Sequence, residues 1–185
     1  MRIVSGLFVV AILCPLILPL CRVFGADDTA EVVRKVEKDL PVLGHRNWIV
    51  IADSAYPWQS RAGIETIATN ADQLTTVKSV LEILDKAKHV HPKINLDAEL
   101  PLVPEADAPG IKAYRDELAK LLDKHTITTL PHEEIISKLD KAAETFKILL
   151  IKTNMTLPYT SVFMELECGY WNADAEKRLR DAMKK

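Results

Sequence analysis

The feature that most constrains the fold is the run Ile49-Val50-Ile51-Ala52, apolar at every position, with His45 before it and Asp53 directly after it. A half-exposed strand alternates polar and apolar side chains, so a run without alternation reads as a strand buried on both faces of a parallel or mixed sheet. In open α/β sheets ligands bind beyond the carboxyl ends of the strands. Asp53, with Ser54 and Tyr56 behind it, therefore stands where a ligand would be met. Pro57 stops the pairing.

Elements of two periods alternate along the rest of the chain. Val32, Val33, Val36 and Leu40 share one helical face, with Asp27, Asp28 or Thr29 as the cap and Pro41 and Gly44 as the stop. A short second strand is expected over 64–69. Leu74, Val77, Val80, Leu81 and Leu84 predict a helix opened by Asp72 or Thr75 and ending near Lys88. Further strands are expected over 92–100, 127–130, 146–151 and 162–167, with helices over 109–123, 131–144 and 173–185. Such alternation predicts an α/β fold, a three-layer sandwich around a mostly parallel, mixed sheet, with residues 26–185 as a single domain.

Residues 1–25 carry Arg2, then an uncharged stretch from Leu7 to Leu20, then small residues before Ala26. This is the pattern of a secretory signal peptide, cleaved after Gly25 or Ala26, and the apolar stretch is short for a membrane span. Export to a periplasm or the medium follows, leaving no stable membrane span after processing. An uncleaved anchor flanked by Arg22 and a lipoprotein cysteine at Cys21 are the other readings, the second opposed by the bulk of Leu20. Cleavage would leave 22 of the 24 basic residues against all 26 acids, a net charge of about −4. No basic patch stands out, which argues against nucleic acid and anionic membranes as partners. Cys168 alone of three cysteines would remain, so no intramolecular disulfide is expected.

Two clusters invite a chemical reading. Tyr56, Trp58, Gln59 and Arg61 in the 54–63 loop are side chains that contact sugars through flat faces and planar hydrogen-bonding groups, or that simply pack a surface loop. His89 and His91 would share a face on a strand and could hold a metal, but no third ligand is near, so solvent-facing histidines are expected. A nucleophilic hydrolase is disfavoured by the lack of a Gly-x-Ser-x-Gly elbow.

Three motifs, taken together, resemble the D-ribose pyranase and L-fucose mutarotase family: Gly44-His45 through Asp53-Ser54-Ala55-Tyr56-Pro57, then Pro131-His132-Glu133-Glu134 before a helix, then Pro158-Tyr159-Thr160-Ser161 before a closing strand. The resemblance covers about residues 30–171. It implies an enzyme that interconverts the cyclic forms of a free monosaccharide by general acid/base catalysis, without cofactor or metal, within a ring-shaped homo-oligomer. It further implies His45 as proton donor, Asp53 and His132 as ligands of sugar hydroxyls, and Tyr159, Thr160 and Ser161 as the remainder of the pocket. The chain departs from the family pattern at Asn47, where an Asp is usual, at Asn154-Met155, where Gly-Glu is usual, and at Ser161, where an Asn is usual. A catalytically inactive sugar-binding relative and an envelope assembly protein are the alternatives.

Geometry adds one inference about assembly. Residues 47–52, if extended, separate His45 from Asp53 by about 20 Å, beyond the reach of one small sugar. Either His45 belongs to a different pocket from its own Asp53, or the site lies between subunits with the histidine reaching in from a neighbour, and the second is expected.

Overall fold

The computed structural model describes residues 26–184, so the signal-peptide reading of residues 1–25 lies outside the described residues. Six strands, β1 (Trp48–Ala52), β2 (Ile64–Ala68), β3 (Val90–Asp97), β4 (Ile127–Leu130), β5 (Ile148–Lys152) and β6 (Val162–Cys168), form one sheet in the order β2-β5-β1-β6-β3-β4. β1 and β2 pair parallel to β5, and β3 pairs parallel to β4. β6 runs antiparallel between β1 and β3. Five strands thus end, and β6 begins, at the same edge.

The β1 run is buried throughout because it is central and covered on both faces. Ile49 and Ile51 face one core, with Leu149, Ile151, Val162 and Met164 beside them. Over that face pack α1 (Ala26–Asp39), α2 (Gln73–Leu84) and α3 (Ile111–Leu121), through Val32, Val36, Val77, Val80, Leu84 and Leu118. Trp48, Val50 and Ala52 face the other core, with Ile148, Leu150 and Phe163, under Ile135 and Leu139 of α4 (His132–Ala142). Burying each such side chain stabilises the fold by about 1.5–3 kcal/mol. Helix, sheet and helix make the three layers expected.

Element ends shift for local reasons. Asp27, Asp28 and Thr29 lie within α1, which already runs at Ala26. Pro41 stops that helix, as expected, and the chain turns through a short 3-10 segment, Leu40–Val42. Asp72 rather than Thr75 caps α2: its Oδ1 accepts the Thr75 backbone N–H at 2.8 Å. α2 ends at Leu84, short of Lys88, while β3 starts at Val90, two residues earlier than expected. A last helix, α5 (Ala173–Ala182), is capped by Asn172 and buries none of its residues, in keeping with its charged sequence.

Gly63 joins the 53–63 loop to β2. A Cβ there would run into the Ala143 carbonyl at the end of α4, so only glycine lets the loop pass this close.

Candidate functional site

At the edge where β1 ends, side chains from four segments converge. Asp53 follows β1, Asp97 closes β3, His132 opens α4 directly after β4, and Tyr159, Thr160 and Ser161 precede β6. Contacts link them in a chain. Ser161 Oγ donates to Asp53 Oδ2 at 3.0 Å, and the Ala55 N–H donates to Asp53 Oδ1 at 2.9 Å. The Tyr159 ring stands edge-on to His132, centroids 5.7 Å apart. His132 Nδ1 lies 3.1 Å from Asp97 Oδ1. The Glu99 carboxylate also accepts the His132 backbone N–H, both oxygens at 3.1 Å, and so supplies the cap that Pro131 cannot give α4.

Asp97 is 1% exposed, and its Oδ2 has no hydrogen-bond partner. Burial pushes its carboxyl above the usual range, opposed by its bond to His132. An ionised Asp97 can only accept, so the pairing places the imidazole proton on Nδ1 and leaves Nε2 as the atom that can meet a substrate.

The backbone beneath Tyr159 is gripped from inside. Tyr159 has a φ of 56°, in the left-handed region that a tyrosine rarely adopts. The next carbonyl, that of Thr160, accepts the Tyr114 hydroxyl at 2.6 Å and also Gln73 Nε2. Thr153 Oγ1 lies 2.9 Å from Gln73 Oε1 and 3.0 Å from the Ala52 carbonyl, tying this network to the end of β1. Gln73, Thr153 and Thr160 are all buried. Such a network holds an unfavourable conformation because every polar member has a partner.

The sequence-predicted residues thus divide. Asp53, His132, Tyr159, Thr160 and Ser161 meet at this edge. His45 lies at the opposite one, before β1, on an exposed turn whose next residue, Arg46, has a φ of 75°. The turn is held by Asn47: its Oδ1 accepts the Gly44 N–H at 2.7 Å and its Nδ2 donates to the Lys147 carbonyl at 3.1 Å. Asn47 therefore has a structural task that an aspartate, lacking a donor, could fill only in part.

Asp97 and Glu99 were not singled out in the sequence. The signal was weak, since Asp97 is the last residue of β3, which lacks the uninterrupted apolar run that precedes Asp53. Of the proposed sugar-contacting loop cluster, Tyr56 is buried against Phe163, Gln59 Nε2 donates to Asp140 of α4 at 3.1 Å, and Arg61 pairs with Glu144. These three pack the loop down, while Trp58 stays 87% exposed. His89, outside β3, lies 3.0 Å from the Leu40 carbonyl, and His91 pairs instead with Glu167. Among the described residues no three His, Cys, Asp or Glu side chains gather as metal ligands, and no helix is long and apolar enough to cross a membrane.

An open α/β sheet that collects two carboxylates, a histidine and three hydroxyls at its strand ends defines a small-ligand-binding domain. Residues 31–169 match the RbsD / FucU transport protein family, and the chain belongs to that family. No curated protein sequence matches it. Among solved structures, FucU from Bifidobacterium longum is 15% identical, with a TM-score of 0.50 over 73% of this chain and 94% of its own, and shares the fold. Bacillus subtilis RbsD, complexed with D-ribose, is 24% identical over 71% of this chain and 89% of its own, TM-score 0.49. A fucose mutarotase from Streptococcus pneumoniae, in complex with L-fucose, is 19% identical over the same shares, TM-score 0.48.

Proposed function

We propose that the protein is a monosaccharide mutarotase or pyranase, interconverting anomers or ring forms of a free sugar such as ribose or fucose. The observation that carries this reading is the convergence of Asp53, Asp97-paired His132 and Tyr159–Ser161 at one strand-end edge, in a chain of the RbsD / FucU family. Ring opening needs a proton delivered to the ring oxygen and another removed from the anomeric hydroxyl, and closure reverses both. A histidine can serve in either direction near neutral pH. His45 is assigned as the donor, Asp53 and His132 as the groups that hold hydroxyls, and Asp97 as the positioning residue that presents His132 Nε2.

The cavity of about 720 Å³ that His45 lines includes none of Asp53, His132 and Tyr159. That supports a pocket completed by a neighbouring subunit whose His45 reaches in, within a homo-oligomer. Export through residues 1–25 is proposed on the sequence alone, and the mass of the protein recovered outside producing cells tests it.

Saturation-transfer NMR between the anomers of D-ribose and of L-fucose, with and without protein, tests the activity. Faster exchange of at least one sugar is expected. Unchanged exchange of both rejects the enzyme. Binding without exchange would instead match a catalytically silent relative, a reading favoured by Ser161, which already occupies Asp53 Oδ2. The assembly-protein alternative has no comparable support, because Asp53, His132 and Tyr159 share one edge.

A further inference from the structure

The cavity of about 720 Å³ surrounds His45, at the edge away from Asp53, and part of its wall comes from residues 171–180. Those residues lie beyond the 31–169 span of the family. The extra segment is rooted firmly. Gly169 N–H donates to the His89 carbonyl at 2.9 Å, and a Cβ at Gly169 would come within 2.7 Å of the Lys88 carbonyl, so the chain leaves β6 pressed against the start of β3. Asn172 then caps α5, its Oδ1 accepting the Ala175 N–H at 2.9 Å. Trp171 is fixed as well: its indole Nε1 donates to Glu176 Oε2 at 2.8 Å, and Glu176 Oε1 accepts Arg180 Nε at 2.6 Å. The indole remains 45% exposed. A flat aromatic ring held at its nitrogen, with no core above it, is a preformed platform at low entropic cost.

The charges around it balance. Arg46 and Arg180 face Glu167 and Glu176, and both acids are already paired, Glu167 with His91 at 3.2 Å and Glu176 with Arg180. Such a lining offers donors and acceptors without a surplus of either sign, which suits a neutral polyhydroxylated ring better than an anion.

We propose that Trp171 is a specificity-determining residue, the stacking platform against which a neutral monosaccharide is held beside His45. The inference rests on the sugar reading above and extends it: α5 joins His45 on the half of the shared substrate site that meets the neighbouring subunit, and the choice of sugar depends on a segment outside the family span. A sugar face rich in C–H groups lies on the indole, while hydroxyls at its rim meet Glu176 and Arg180.

The test compares the full-length protein with Trp171→Ala, Trp171→Phe and Trp171→Leu by NMR exchange of D-ribose and L-fucose over a range of sugar concentrations. Loss of the flat face in Trp171→Ala is expected to raise KM about fivefold or more, with a smaller change in kcat. Trp171→Phe should stay near wild type. Trp171→Leu keeps apolar bulk without a π-face and should behave as Ala does, which separates stacking from mere filling of space, and it decides the matter if the alanine variant misfolds. Active wild type with an unchanged KM in both Trp171→Ala and Trp171→Leu overturns the role of Trp171 and leaves the enzyme reading standing. Wild type that neither binds nor exchanges either sugar overturns both.

Discussion

At the edge where β1 ends, the backbone that aims the candidate side chains is held from within the core, whereas at the edge where β1 begins the candidate histidine rides on a surface turn. Each edge contains one of the two non-glycine residues with positive φ among the described residues, Tyr159 and Arg46. The Tyr159 strain is stabilised by Gln73, Tyr114 and Thr153 through buried hydrogen bonds. The Arg46 turn is held by the Asn47 side chain, by Arg46 N–H donating to the Leu166 carbonyl at 2.8 Å, and by a guanidinium 5.6 Å from the Phe146 ring centroid. One edge is built to keep its groups still without help, while the other presents a histidine outward. Two halves of one site, contributed by different subunits, would differ in this way: the binding half needs preorganisation, and the donating half needs reach.

The largest effect should come from the outward half. His45→Ala is expected to slow sugar exchange about 100-fold or more, the usual size of a lost general acid, while leaving the melting temperature nearly unchanged because His45 is exposed. A large drop in stability, measured by thermal denaturation, would mean that the turn is structural.

Next is Asp97→Asn, on the preorganised half. An asparagine keeps an oxygen facing Nδ1 but removes the charge that favours the Nδ1-protonated tautomer, and exchange should fall about tenfold. Stability should respond in the opposite sense. A carboxyl whose pKa is raised on folding binds its proton more tightly in the native state, so its contribution to stability falls as pH rises from about 4 through the raised value. Chemical denaturation at several pH values should show this decline in wild type and not in Asp97→Asn.

Smaller still is Tyr114→Phe, which takes one of two donors from the Thr160 carbonyl and should cost about 1 kcal/mol. It should weaken sugar binding at the Tyr159 edge, seen as a higher KM in the exchange assay, without altering the effect of His45→Ala. Asn47→Asp is expected to have the least effect. It retains an acceptor for Gly44 and loses the donor to Lys147, for a cost of about 0.5–1 kcal/mol by chemical denaturation.

The sheet was legible in the sequence because its signals are local. Uninterrupted apolar runs marked β1 and β5, helical spacing marked α1 and α2, and Asp72 and Pro41 marked boundaries where they occur. The convergence of Asp53, His132 and Tyr159 was legible only through the order of three motifs, since it depends on strands distant in sequence. Asp97 shows what remained hidden. A strand-end aspartate has no meaning until the pairing of β3 with β4 places His132 beside it. Gln73 and Tyr114 were hidden for the same reason: nothing in their helices singles them out, and only the path of the chain before β6 gives them the Thr160 carbonyl. In the loop after β1, Tyr56, Gln59 and Arg61 carried a composition suited to sugars and serve instead to fasten the loop to Phe163 and α4, because nothing in their spacing reveals which face of the loop meets the helix.

The claim that the two edges are halves of one site is tested most directly by mixing subunits. His45→Ala lacks the donor and His132→Ala lacks the binding half, so each homo-oligomer should be inactive. When the two are co-expressed and assembled at random, about a quarter of the shared sites pair an intact His45 with an intact His132. The account predicts exchange activity near that fraction of wild type, in a species larger than a monomer. Mixed assemblies as inactive as either parent, or full activity in a strictly monomeric wild-type protein, would contradict it.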